Sequence, residues 1–187
     1  MYEQLIRDYV PKDEFEAKDQ EAILDYIKDF SGDMASRQAA LAHLTASGFI
    51  MNEALDKVLM VHHNIYQTWA WTGGHADGGH DLFQVALREA KEETGIEKIR
   101  PLSTEVMSLD ILPVFRHHKN GVPVNAHLHL NVSFLLIANE SEPLKVKEDE
   151  NSGVAWIPVE DVPKYSGEPL VVPIYQKLIK KARELTR

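Results

Sequence analysis

Apolar residues recur at three- and four-residue intervals between Glu14 and Phe30, where Ile23, Leu24, Ile27 and Phe30 share one face before Ser31-Gly32. That spacing predicts a helix with a defined stop. Asp33 is placed to cap a second helix running through His43 and Leu44. Two short apolar runs, Ser47 to Met51 and Lys57 to His62, bracket the polar stretch from Asn52 to Asp56 and predict a hairpin. Trp69 to Thr72 predicts another strand, followed by a helix from Leu82. Downstream, Glu105 to Phe115 and His127 to Ile137 alternate as strands do, with Asn120-Gly121 as the turn between them. Gly153 to Ile157 is a further short strand, and Pro173 to Leu185 a lysine-rich terminal helix. Strands on both sides of a central helix point to an α/β sandwich.

The most informative stretch is Gly73 to Ile96, GGHADGGHDLFQVALREAKEETGI. Its helical half carries Glu89, Glu92 and Glu93 between a glycine-rich entry and Gly95. Carboxylates this close repel one another, and a divalent cation among them relieves the repulsion. On a helical wheel with Leu82 at the origin, Ala86, Ala90, Phe83, Thr94 and Leu87 fill an arc of roughly 40° to 140°. Glu93, Glu89 and Glu92 fall near about 20°, 340° and 280°, along the border of that apolar stripe. Arg88 stands one turn before Glu92 and is spaced to pair with it. Asp81 is positioned to cap the helix with Gln84 three residues on, and Gly95 to end it in a left-handed conformation.

This segment resembles the Nudix box, whose pattern is G-x5-E-x7-R-E-U-x-E-E-x-G-U with U aliphatic. Gly74, Arg88, Glu89, Glu92, Glu93, Gly95 and Ile96 match it, and Ala90 stands at the aliphatic position. Upstream, Trp69-Ala70-Trp71-Thr72-Gly73-Gly74 is similar to the family's strand entering a Gly-Gly turn, with Thr72 where proline is usual. The first glutamate of the pattern falls on His80; the nearby acids are Asp77 and Asp81. The resemblance implies a Nudix-like α/β/α sandwich with a mixed sheet. Residues 1–45 then form an N-terminal helical extension packed on the core, and 46–187 the catalytic domain. A homodimer is common in the family.

The resemblance also implies a reaction. Glu89, Glu92 and Glu93, with the Gly74 carbonyl, would hold Mg²⁺ or Mn²⁺, with Arg88 beside them in the catalytic set. The activity would be hydrolysis of a nucleoside diphosphate linked to another group, or of a related organic diphosphate. Magnesium suits such a site because it takes oxygen ligands and keeps several waters, and charge neutralisation on phosphoryl oxygens is what the chemistry requires. Glu148-Asp149-Glu150 ahead of Gly153 to Pro158 resembles the family's Glu-rich loop before a Trp-containing strand, and Glu150 is the candidate general base. Two other readings share the fold. One is a catalytically weak nucleotide- or metabolite-binding regulator, kept open by His80. The other is a prenyl diphosphate isomerase, whose family chemistry uses a cysteine that this chain lacks.

Histidines form a second constellation. Alternation in His127-Leu128-His129-Leu130-Asn131-Val132 places His127, His129 and Asn131 on one face. A His-x-His pair would suit zinc, but a third ligand is not apparent in the sequence. A cleft wall touching substrate phosphate, or a hydrogen-bonded polar face, are the other readings. His75 and His80 lie in the box loop within reach of a substrate, and Trp71 is a candidate base platform.

Composition narrows the partners. The net charge of −9 argues against binding to a nucleic-acid backbone, while a bound cation would still allow an anionic small molecule. Zero cysteines exclude thiolate sites and disulfides. The 187 residues are enough for one well-cored domain. Met1 to Val10 shows no secretory pattern, and no apolar run is long enough for a bilayer, so a cytoplasmic enzyme without membrane contact is expected.

Overall fold

The structure is a computed structural model and describes residues 2–119 and 121–186. Two helices open the chain, α1 (Tyr2–Asp8) and α2 (Glu14–Asp29). Asp13 caps α2 by accepting the Glu16 N–H, and acids in its first turn face the positive end of the helix dipole. Then come β1 (Ala42–Met51), β2 (Lys57–His63), β3 (Thr68–Ala70) and β4 (Thr72–His75), followed by α3 (Leu82–Thr94). Strands β5 (Ile99–Pro101), β6 (Ser108–Val114), β7 (His117–Lys119), β8 (Val122–Val124), β9 (His127–Ala138) and β10 (Asn151–Pro158) follow. Helices α4 (Val162–Tyr165) and α5 (Val172–Leu185) close the chain.

Eight strands form one mixed sheet. Its spine runs β10-β2-β1-β9-β5, with β3 on β2, β4 on β1 and β6 on β9. The β1–β9 pair is parallel over ten residue pairs and the other pairings are antiparallel. Strand β1 pairs with β2 only at Ile50 and Met51, and with β4 between Thr45 and Gly48. The sheet therefore splays where β4 leaves it. One face packs Leu44, Ala46, Leu130 and Val132 against α1, α2 and the start of α3. The other packs Phe49, Met51, Leu135 and Ile137 against Tyr175 and Leu178 of α5. Covered on both sides, all ten residues of β1 are buried.

Two expectations change. Residues 33–41 are turns, not a second helix, and β1 begins at Ala42, where the ladder with β9 claims the chain. Leu44 donates to the Met34 carbonyl across those turns at 2.8 Å. Local helical spacing loses there to ten long-range strand pairings. The single strand expected at Trp69 to Thr72 is two short ones, with Trp71 at the junction. Of the Asn120-Gly121 turn, Asn120 lies outside the described residues; Gly121 takes a φ of 79°, the left-handed region that glycine favours.

Candidate functional site

Helix α3 carries the acids. Asp81 accepts the Gln84 N–H at 3.2 Å and Gly95 ends the helix at φ 74°. Its buried residues include Leu82, Ala86, Ala90 and Thr94 of the expected stripe, and also Val85. Val85 is covered by the entry loop, where a Cβ on Gly79 would meet its Cγ2 at 2.9 Å. The three glutamates are graded by depth: Glu93 is buried, Glu89 half-buried and Glu92 exposed.

Glu93 sits beneath β4. The Gly73 N–H donates to Oε2 at 2.9 Å, and Asn151 Nδ2 of β10 makes a long 3.5 Å contact with Oε1. Among the described residues no lysine or arginine lies within ion-pair distance of it. Burial therefore dominates and pushes its carboxyl up to about 8, with Glu89 and Glu150 adding repulsion. Glu89 lies against Gly74, where a Cβ would come within 2.6 Å of the Glu89 carboxyl carbon. Only glycine lets β4 approach this helix so closely. Arg88 donates to Glu89 at 2.7 Å, and its contact with Glu92 is a loose 4.0 Å. The arginine expected to orient Glu92 thus belongs chiefly to Glu89.

Glu150, just ahead of β10, is linked to α3 through Lys147 and opens onto a cleft of its own that none of the box residues lines. Its carboxylate is 2.9 Å from Lys147 Nζ and 3.6 Å from Lys119 Nζ, and Lys147 also lies 3.5 Å from Glu92. Burial alone would raise the Glu150 carboxyl, but Lys147, with Lys119 behind it, lowers it on balance. A cleft of about 230 Å³ opens beside it, lined by His63, Asn64, Ile65, His118, Lys119 and Glu150 among others. A larger cavity of about 430 Å³ lies at the β5–β9 edge around Arg100 and Ala138, lined by none of the box residues.

The other site candidates separate into two groups. His80 faces the N-terminal helices, with Nε2 3.1 Å from Asp33 and its ring edge-on to Tyr2. Asp77 is held bidentately by Arg37, and Asp81 serves as the cap. Both acids near the missing box glutamate are thus already engaged. His75, His127 and His129 do converge, joined by His43 from β1. Burial, reinforced by Arg37 and His43, pushes His75 down to about 3; burial, with His75 and His43 beside it, pushes His129 down to about 2. Both rings are neutral at pH 7. Asn131, on the same face, accepts from Thr45 and Ser47 and donates to Ser133. Trp71 stacks edge-on against Tyr175, its backbone N–H donates to the tyrosine oxygen, and the residue is half-buried.

Sequence reasoning missed Lys147, Asn151, Arg37 and His43. Lys147 carried a signal, since it precedes Glu150 by three residues in a charged run. The others meet their partners only through strand register.

Glu89, Glu92, Glu93 and the Gly74 carbonyl offer only oxygen, the ligand type a hard divalent cation takes. Among the described residues, the ligand atoms that converge within 4.8 Å of one another are those of the four histidines, not those of the three glutamates. The buried Glu93 carboxylate, lacking a cation of its own, fits the same group. A glutamate-edged helix entered through Gly-Gly on a splayed mixed sheet is the architecture of a Nudix-type hydrolase. The chain belongs to the NUDIX domain family, whose pattern matches residues 41–178. Among solved structures it is similar to a C. elegans Ap4A hydrolase binary complex, with a TM-score of 0.53 and 19% identity over 75% of this chain and 98% of that one. The E. coli dihydroneopterin triphosphate pyrophosphohydrolase gives 0.57 and 15%, over 74% and 95%. The NUDIX domain of Shewanella oneidensis NrtR, complexed with ADP ribose, gives 0.53 and 20%, over 87% and 97%. At these identities the likeness is one of fold. Among the described residues no helix is long and apolar enough to cross a membrane.

Proposed function

We propose that this chain hydrolyses the diphosphate bond of a nucleoside diphosphate linked to another group, or of a related organic diphosphate. Glu89, Glu92, Glu93 and the Gly74 carbonyl would hold Mg²⁺ or Mn²⁺. The observation that carries the reading is Glu93, a buried carboxyl held by the Gly73 N–H at 2.9 Å with no lysine or arginine among the described residues within ion-pair distance. When bound, the cation would neutralise phosphoryl oxygens and activate water.

The chain's own residues supply the rest. Arg88 keeps Glu89 turned toward Gly74 by a charge-assisted hydrogen bond. Lys147 spans Glu92 and Glu150, which fixes the loop before β10 over the helix. Glu150 is assigned as the water-directed base. Its lysines keep it ionised at neutral pH and so able to accept a proton, while reducing its basicity.

A second reading, a regulator with weak turnover, is favoured by the entry loop, where His80, Asp77 and Asp81 are all engaged elsewhere. A phosphate-release screen tests both. The panel comprises nucleoside diphosphate sugars, ADP-ribose, dinucleotides such as Ap4A, nucleoside triphosphates and prenyl diphosphates, each with and without Mg²⁺. Mg²⁺-dependent release from at least one class is expected. Silence across the panel with metal binding intact would favour the regulator.

A further inference from the structure

We propose that His43, His75, His127 and His129 form a second metal site, for a borderline transition cation such as Zn²⁺, separate from the carboxylate site on α3. One ligand nitrogen from each of the four lies within 4.8 Å of the others.

Register brings them together. In the parallel β1–β9 ladder His43 stands opposite His129. In the antiparallel β1–β4 ladder His75 stands opposite Thr45, two residues from His43 and on the same face. His127 precedes His129 by two and shares that face. The His-x-His pair visible in the sequence thus gains its third and fourth partners from two other strands.

The rings are also oriented. His43 Nδ1 lies 3.1 Å from the Ala39 carbonyl, and His127 Nδ1 lies 2.9 Å from the Asn125 carbonyl. A carbonyl can only accept, so both Nδ1 atoms carry a proton, and in the neutral tautomer that this selects the Nε2 atom presents the lone pair. Outer hydrogen bonds of this kind fix metal-ligating histidines in general. His127 Nε2 and His129 Nε2 are 3.2 Å apart. A tetrahedral zinc with Zn–N bonds of about 2.0–2.1 Å has ligand atoms about 3.3 Å apart. One edge of the tetrahedron is therefore already set.

A histidine–histidine hydrogen bond would account for that one contact but not for His43. That residue is only 5% exposed, and its Nε2 is buried without a hydrogen-bond partner. Its ring centre lies 4.9 to 5.3 Å from those of His75, His127 and His129. An orphaned buried lone pair in such company is what a missing ligand leaves behind.

Ligand chemistry separates the two sites. Imidazole nitrogen suits Zn²⁺, Co²⁺, Ni²⁺ or Cu²⁺, whereas Mg²⁺ requires oxygen. Four protein ligands make a closed, structural centre. It would tie β4 to β1 and β9, and β4 carries the Gly73-Gly74 pair that faces Glu93 and Glu89. The site is read by binding, so it stands or falls independently of the hydrolase assignment.

The test uses the full chain, stripped with chelator and held in excess Mg²⁺ so that the carboxylates are satisfied. Titration of Zn²⁺ against a chromophoric chelator is expected to show one equivalent bound tighter than about micromolar. Co²⁺ in its place is expected to give the intense visible bands of a four-coordinate ion. His127→Gln, checked for folding by circular dichroism, is expected to weaken Zn²⁺ at least about tenfold, while His62→Gln, outside the cluster, leaves it unchanged. No tight equivalent in the wild-type chain, a pale six-coordinate cobalt spectrum, or unchanged affinity in His127→Gln would each overturn the proposal.

Discussion

Glu16 and Glu93 are both hidden from solvent, at 1% and 3% exposure, yet their carboxyls move in opposite directions. Burial pushes both upward. At Glu16, hydrogen bonds from Lys177, Tyr9, the Lys12 amide and Lys181 outweigh burial and hold the group at about 2. The two ammonium groups sit 2.7 and 2.9 Å from the same carboxylate oxygen and tie α2 to α5. At Glu93 the partners are a backbone N–H and a distant amide, and the carboxyl rises to about 8. A carboxylate that holds the fold together brings its countercharge with it. One proposed to bind a cation, as Glu93 is, leaves that countercharge to be supplied.

The largest effect is expected at Glu16. Glu16→Gln keeps the shape but strands two half-buried lysines, with Asp110 their one remaining carboxylate partner among the described residues. Breaking a buried pair from one side costs about 3–5 kcal/mol, measurable by urea unfolding at pH 7. The pH dependence has a definite sign. Glu16 falls from an ordinary 4.5 to about 2 on folding, so its contribution is complete above about pH 4.5 and is lost as pH falls toward 2. The gap between wild type and variant should close over that window. A loss under about 1 kcal/mol at pH 7 would show the network to be ornamental.

Glu93→Gln should behave in the opposite way. Activity is expected to fall at least about a hundredfold, about 2.7 kcal/mol of transition-state stabilisation. Metal-free stability should hold or rise, because the Gly73 hydrogen bond survives and no carboxyl has to take up a proton on folding at neutral pH. The Mg²⁺-induced rise in melting temperature should vanish. Destabilisation on the scale of Glu16→Gln would erase the distinction between the two sites.

The same contrast explains what the sequence disclosed. Much on α3 that depends on neighbours within one helix was legible: the Asp81 cap, the Gly95 stop and the place of the glutamates along the border of the apolar stripe, though not Arg88's choice of Glu89 over Glu92. Glu93, nearest the apolar stripe on the wheel, is deepest, and Glu92, farthest from it, is exposed. What escaped depends on pairing across the chain. Glu16 reads as a first-turn acid, while its partner Lys181 lies 165 residues away. His43 sat in an expected helix and proves to face His129 across a parallel ladder. Val85 lies off the stripe but is buried by a glycine loop that no periodicity describes.

Glu150 lies between the two extremes, part-buried and with two lysines beside it, and carries the smallest expected effect. Glu150→Gln removes the base and also frees Lys147, which already stands 3.5 Å from Glu92. A freed lysine would pair with Glu92 and compete with the cation for it. The two losses are separable in a Mg²⁺ titration. If Glu150 accepts the proton, kcat drops about tenfold, about 1.4 kcal/mol, and saturating Mg²⁺ does not restore it. If Glu150 serves only to restrain Lys147, the rate returns at high Mg²⁺ and the change lies in the metal requirement. An unchanged rate at every Mg²⁺ concentration would remove Glu150 from the site and leave α3 to supply both metal ligands and base.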